Sequence, residues 1–124
     1  MFRRALPNDT PPLTLQQLKE ILDNNTKVVI IRFTASWCGP CQRILPYFNS
    51  MADIIKENGG TVVTIDIDQC IEIYTYYKSK KMINGVPTIM AFYAGNTSVY
   101  PDNVVIGADL QQLEFFFRKV FSMK

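Results

Sequence analysis

The sequence predicts an α/β domain built on a mixed sheet. Two β-branched runs, Val28–Thr34 and Thr61–Asp66, are separated by a segment with helical apolar spacing. A strand–helix–strand order of this kind makes a right-handed parallel βαβ unit. Further on, Thr88–Tyr93 and a strand-like stretch ending in Val104–Ile106 are joined through the turn residues Gly95-Asn96, which sets them antiparallel. A chain of 124 residues that is 48% hydrophobic and 19% charged has the size and composition of one globular domain, spanning residues 1–124.

The elements follow in order. Residues 1–12 hold Pro7, Pro11 and Pro12 beside Asn8, Asp9 and Thr10, and read as an N-terminal arm with a short edge strand near Phe2–Leu6. Thr14 followed by Gln17 forms a capping-box pattern, and Leu15, Leu18, Ile21 and Leu22 continue at helical spacing to about Asn24. Val28–Thr34 is almost unbroken apolar sequence, the mark of a strand buried on both faces, with Arg32 as the exception. A helix is expected over Gln42–Asn58, with Ile44, Leu45, Phe48, Met51, Ala52, Ile54 and Ile55 inward and a kink at Pro46. Gly59-Gly60 turns the chain into a second buried strand, Thr61–Asp66, and a helix follows over about Gln69–Lys80. Val99-Tyr100 and Val104–Ile106 are strand-like, with Pro101 suited only to an edge or a bulge. Asp109 caps a last helix, Leu110–Phe121, with an apolar face of Leu110, Leu113, Phe116, Phe117 and Val120.

Composition excludes several classes of function. Thirteen basic and eleven acidic side chains leave a net charge of +2, too balanced for a nucleic-acid binder. No apolar run approaches the ~20 residues of a membrane helix. Arg3-Arg4 is not followed by an apolar stretch, so a secretory leader is not expected. Three cysteines are few for a disulfide-stapled secreted domain, and together these features place the chain in a reducing, cytoplasmic setting. There is no histidine, which removes Cys–His nucleophile pairs and histidine-ligated zinc.

One stretch carries chemistry: Trp37-Cys38-Gly39-Pro40-Cys41, set between a strand and a helix. A thiolate rather than a thiol attacks a disulfide, and unpaired N–H groups at a helix start lower a cysteine pKa. Cys38 at that start is the candidate nucleophile, and Cys41, one turn in, the resolving thiol. Pro40 suits the first helical turn, Gly39 leaves room for a substrate chain, and Trp37 gives an apolar wall. Two other readings stay open: half of a zinc site, for which one further cysteine and no histidine are too few ligands, and two incidental core thiols. No metal and no organic cofactor is expected.

Trp37–Cys41 resembles the active-site signature of the thioredoxin family. The resemblance extends to Phe33-Thr34-Ala35-Ser36 before it, Pro46, Ile65-Asp66-Ile67-Asp68, Val86-Pro87-Thr88, Gly95 and Gly107, over roughly residues 13–122. It implies the thioredoxin fold, a central mixed sheet of four to five strands flanked by four helices. It also implies a redox-active disulfide between Cys38 and Cys41 and a substrate groove. In that groove Pro87, which the residues alone mark only as a turn proline, is a cis proline, Val86 offers backbone hydrogen bonds, and Gly107 and Ala108 form the opposite wall. Implied partners are disulfide-bearing proteins and a separate electron donor of the thioredoxin-reductase type, with the chain a monomer.

The sequence departs from the family at several places. Arg32 stands where thioredoxins keep an aspartate behind the cysteines, and Thr64 where many carry a lysine. That aspartate takes part in removing the resolving thiol's proton, and Asp66 on the adjacent strand is the candidate substitute. A guanidinium behind the cysteines favours thiolates and makes the disulfide more oxidising. The alternative is that Arg32 pairs locally or snorkels outward and has no catalytic part. Two segments, Tyr74–Asn84 and Thr97–Asn103, are longer than the family pattern. Cys70 reads as a buried small hydrophobe or as a regulatory thiol. The function these observations predict is thiol–disulfide exchange that reduces protein disulfides. The alternatives are a disulfide oxidase or isomerase, and a binding subunit of a larger assembly.

Overall fold

A computed structural model describes residues 12–123, so the expected arm and the Phe2–Leu6 strand lie almost wholly outside the described residues. Helix α1 (Leu15–Asp23) starts at the predicted capping box: Gln17 N–H donates to the Thr14 hydroxyl, and Thr14 N–H donates to Gln17 Oε1. Strand β1 (Val29–Thr34) follows, then α2 (Gly39–Arg43), α3 (Leu45–Glu57), β2 (Thr61–Asp66), α4 (Ile71–Ser79), β3 (Thr88–Phe92), β4 (Asn103–Ile106) and α5 (Leu110–Ser122).

The sheet order is β2-β1-β3-β4, with β1 parallel to β2 and antiparallel to β3, and β3 antiparallel to β4. The predicted mixed sheet therefore forms, with four strands among the described residues. Strand alternation sends side chains into two cores. Val29, Ile31 and Phe33 of β1 and Met90 and Phe92 of β3 meet Leu18 and Leu22 of α1 and Ile73 and Tyr77 of α4. Ile30, Ile89 and Ala91 meet Phe48 and Ile55 of α3 and Leu113, Phe116 and Phe117 of α5 on the other face. Both faces of the sheet are covered, giving three layers.

The structure corrects several expectations. The single helix over Gln42–Asn58 is two helices, because Pro46 has no N–H to carry the ladder across Ile44. The break makes five helical segments among the described residues, where four were expected. Strand β2 is only half buried, since it has no neighbour on its outer side among the described residues. Leu110, expected on the apolar face of the last helix, is exposed, being the first residue of that helix. Ile54 is also exposed, beside Phe121 and Met123 at a surface hollow. Val99-Tyr100 is not a strand. The Asn96 side chain accepts from Ser98 N–H and donates to Tyr100 O and to Asp102 Oδ2, so polar side chains serve this backbone in place of a ladder.

Candidate active site

The end of β1 delivers Ala35 to Cys38 to the start of α2. Cys38 has an extended backbone (φ −88°, ψ 104°) and is the N-cap, so its sulfur occupies the place of a capping oxygen. The Cys41 N–H donates to Cys38 Sγ at 3.1 Å. Pro40 lies in the first turn, where its missing N–H costs nothing. Cys38 and Cys41 are joined in a disulfide with Cα atoms 5.3 Å apart.

Both cysteines are buried, Cys38 4% and Cys41 1% exposed, within the core that holds Ile31, Phe33 and Ala35. The difference in access is small. What distinguishes them is the cap: a charge on Cys38 Sγ receives a backbone N–H, and no comparable donor meets Cys41 Sγ among the described residues. Because α2 has only five residues, that one N–H contributes more than any long helix dipole.

Trp37 is 67% exposed, yet its ring is tethered: Nε1–H donates to Asp68 Oδ2 at 2.8 Å. Asp68 was not singled out from sequence. The signal available was the indole N–H, which seeks an acceptor when the ring is held in place. Asp66 accepts from Asp68 N–H through Oδ1 at 2.9 Å, so its carboxylate closes the turn that carries Asp68. No hydrogen bond links Asp66 to either cysteine among the described residues.

The Val86–Pro87 peptide is cis, and Val86 packs against the core that contains the cysteines. Gly107 N–H donates to Pro87 O at 2.9 Å, which holds the segments Val86-Pro87 and Gly107-Ala108 side by side. Gly107 has φ +93°, a conformation open mainly to glycine, and a Cβ there or at Gly39 would meet nothing within 4 Å. The expected walls of the groove are thus coupled to one another, and the space over both glycines is free.

Arg32 lies on the other face of β1 from Ile31 and Phe33. Its Cζ sits 5.2 Å from the Phe48 ring centre, and Nη2 donates to Thr64 Oγ1 at 3.5 Å. Its Nε is buried with no hydrogen-bond partner among the described residues, and partial burial lowers the guanidinium pKa from its usual value. No hydrogen bond joins it to Cys38 or Cys41 among the described residues. Cys70 is a buried free thiol at the N-cap of α4. Among the described residues no group of three or more His, Cys, Asp or Glu is placed to hold a metal, and no helix is long and apolar enough to cross a membrane.

A capped cysteine joined to a second cysteine one turn later, at the end of a strand in a mixed three-layer fold, defines a thiol–disulfide oxidoreductase. The thioredoxin family profile matches residues 9–119. Thioredoxin of Mycoplasmoides gallisepticum is 38% identical over 79 residues, 64% of this chain and 72% of that protein. A protein disulfide isomerase-like 2-1 of Oryza sativa is 30% identical over 93 residues, 74% of this chain but only 24% of that protein, so the chain spans about a quarter of that relative. Schistosoma mansoni thioredoxin superposes with a TM-score of 0.67 at 26% identity, covering 90% of this chain and 99% of that one. The chain belongs to the thioredoxin family.

Proposed function

We propose that this protein reduces disulfides in other proteins, and the observation that carries the reading is the Cys41 N–H directed at Cys38 Sγ. In the reduced form the Cys38 thiolate, held by that donor, attacks one sulfur of a substrate disulfide. A mixed disulfide forms and the substrate's other sulfur leaves as a thiolate. Cys41 gives its proton, directly or through solvent, to the substrate thiolate already released and attacks Cys38 Sγ. The mixed disulfide breaks, the second substrate thiolate departs, and the Cys38–Cys41 disulfide remains. Two electrons have passed to the substrate, and a separate reductase of the thioredoxin-reductase type returns them. No metal or organic cofactor enters these steps.

Trp37, Gly39, Pro40, Val86, Pro87, Gly107 and Ala108 form the substrate surface in this reading. The tethered indole, the coupled Pro87–Gly107 walls and the open space over Gly39 and Gly107 support it. Arg32 is a packing residue seated on Phe48, Thr64 its polar neighbour and Asp66 a turn residue, so none of the three receives the Cys41 proton. The protein acts as a monomer in a reducing compartment such as the cytoplasm, where the dithiol form persists.

An oxidase or isomerase is the second reading, favoured by the likeness to a protein disulfide isomerase-like relative and by the absence of a carboxylate at position 32. Incubating reduced protein with a disulfide-linked peptide, and oxidised protein with the dithiol peptide, separates the two. Reduction must be the faster direction for the first reading to stand.

A further inference from the structure

The two segments that exceed the family pattern meet one another. The Tyr77 hydroxyl at the end of α4 donates to Val99 O at 2.9 Å, and the Lys80 ammonium stands 5.7 Å from the Tyr100 ring centre. Lys80 is also 5.0 Å from the Tyr76 ring centre, Lys19 of α1 approaches the same ring at 5.2 Å, and Lys78 lies 5.6 Å from Tyr74. Lys19 of α1 and Lys80 thus meet over the Tyr76 ring, with Tyr100 beside Lys80, while Tyr74 and Lys78 lie on the opposite flank of α4. Among the described residues none of these lysines is within 4.0 Å of a carboxylate; the ion pair there is Lys56–Asp53, on α3. Glu72, at the opposite end of α4, accepts from Leu15 N–H.

We propose that Lys19 and Lys80, ordered by Tyr76 and Tyr100, form a docking surface for an acidic segment that flanks the disulfide of a protein substrate. The inference rests on the disulfide-reduction reading for its link to turnover. Chain topology ties the surface to the site at both ends. Helix α4 begins just after Asp68, which holds Trp37, and after Lys81 the chain returns to Pro87 within six residues. A nine-residue helix is ~14 Å long, a span that four or five extended residues of a substrate cover. Among the described residues the cations have no ion-pair partner and are held by their rings, so an acidic chain meets them with little further ordering.

The test uses two cystine peptides that differ only in a flank of Glu-Glu-Glu-Glu or Gln-Gln-Gln-Gln. With dithiol-form protein at low salt, the acidic peptide is expected to be reduced about tenfold faster, an advantage that disappears at high salt. The double variant Lys19→Gln/Lys80→Gln should lose this preference while reducing the neutral peptide at the wild-type rate. Equal rates for the two peptides, or a preference that survives in the double variant, would overturn the proposal. So would a thymidine oligonucleotide that cancels the preference where a cystine-free acidic peptide does not. If neither peptide is reduced, the disulfide-reduction reading has failed, and fluorescence anisotropy with the labelled cystine-free acidic peptide decides the surface alone. Salt-sensitive binding that the double variant loses supports it, and its absence overturns it.

Discussion

Arg32 and Thr64 stand opposite each other across the parallel β1–β2 ladder, with Nη2 3.5 Å from the Thr64 hydroxyl and Cζ 5.2 Å from the Phe48 ring centre. The guanidinium thus rests on the α3 side of the sheet, whereas both cysteines pack with Ile31 and Phe33 in the other core. Arg32→Met keeps the stem over Phe48 and removes the charge. It is expected to leave the exchange rate within about twofold and to change stability by less than about 1 kcal/mol. Stopped-flow exchange and urea unfolding measure these; a tenfold change in rate would show the charge acting on the sulfurs.

The two cysteines have separable roles in the proposed cycle. Cys38→Ser is expected to reduce turnover to the uncatalysed background. Cys41→Ser should form the mixed disulfide once and stop there, a covalent adduct visible by mass spectrometry. Adducts accumulating on Cys41 in the Cys38→Ser protein, with turnover retained, would reverse the assignment.

Trp37 is exposed but oriented by Asp68. Losing that hydrogen bond in Asp68→Ala removes about 1 kcal/mol of ordering, so KM for a disulfide peptide should rise about fivefold with kcat little changed. Asp68→Asn retains an acceptor oxygen and should restore most of the loss. A fall in kcat at constant KM would instead mean that Asp68 acts on the chemistry.

Burial holds the Tyr77 hydroxyl above its usual range, with Tyr76 adding to the effect. The folded state keeps this proton at a pH where the unfolded state, with pKa ~10, has released it. Stability is therefore fully present below pH ~10 and falls as pH rises beyond it. Tyr77→Phe should flatten that alkaline decline and cost about 1 kcal/mol at neutral pH through the lost bond to Val99 O. Urea titrations at pH 8 and pH 11 compare the two, and an equal decline in both proteins would contradict the assignment.

Much of the fold was legible because its signals are local. Thr14 and Gln17 cap α1 as their spacing predicts, Asp109 caps α5, and the β-branched runs fall within one residue of β1 and β2. The misses are long-range in cause. Thr61–Asp66 reads as a buried strand, and only the strand order shows that nothing covers its outer side among the described residues. Val99-Tyr100 has strand composition, but the Asn96 and Asp102 side chains bond the neighbouring backbone. At the site, Cys38 and Cys41 were legible from motif and context. The Asp68 tether and the seat of Arg32 against Phe48 were not, because each depends on two segments more than thirty residues apart or on which face of β1 a side chain takes.

The most direct measurement is the reduction potential of the Cys38–Cys41 pair, read by equilibrating the protein in glutathione buffers. If Arg32 only packs and Cys38 is stabilised by a single capping N–H, the pair is a reductant and the value should fall near about −270 mV. A value between about −180 and −120 mV would place the protein with isomerases and oxidants, and would contradict the account.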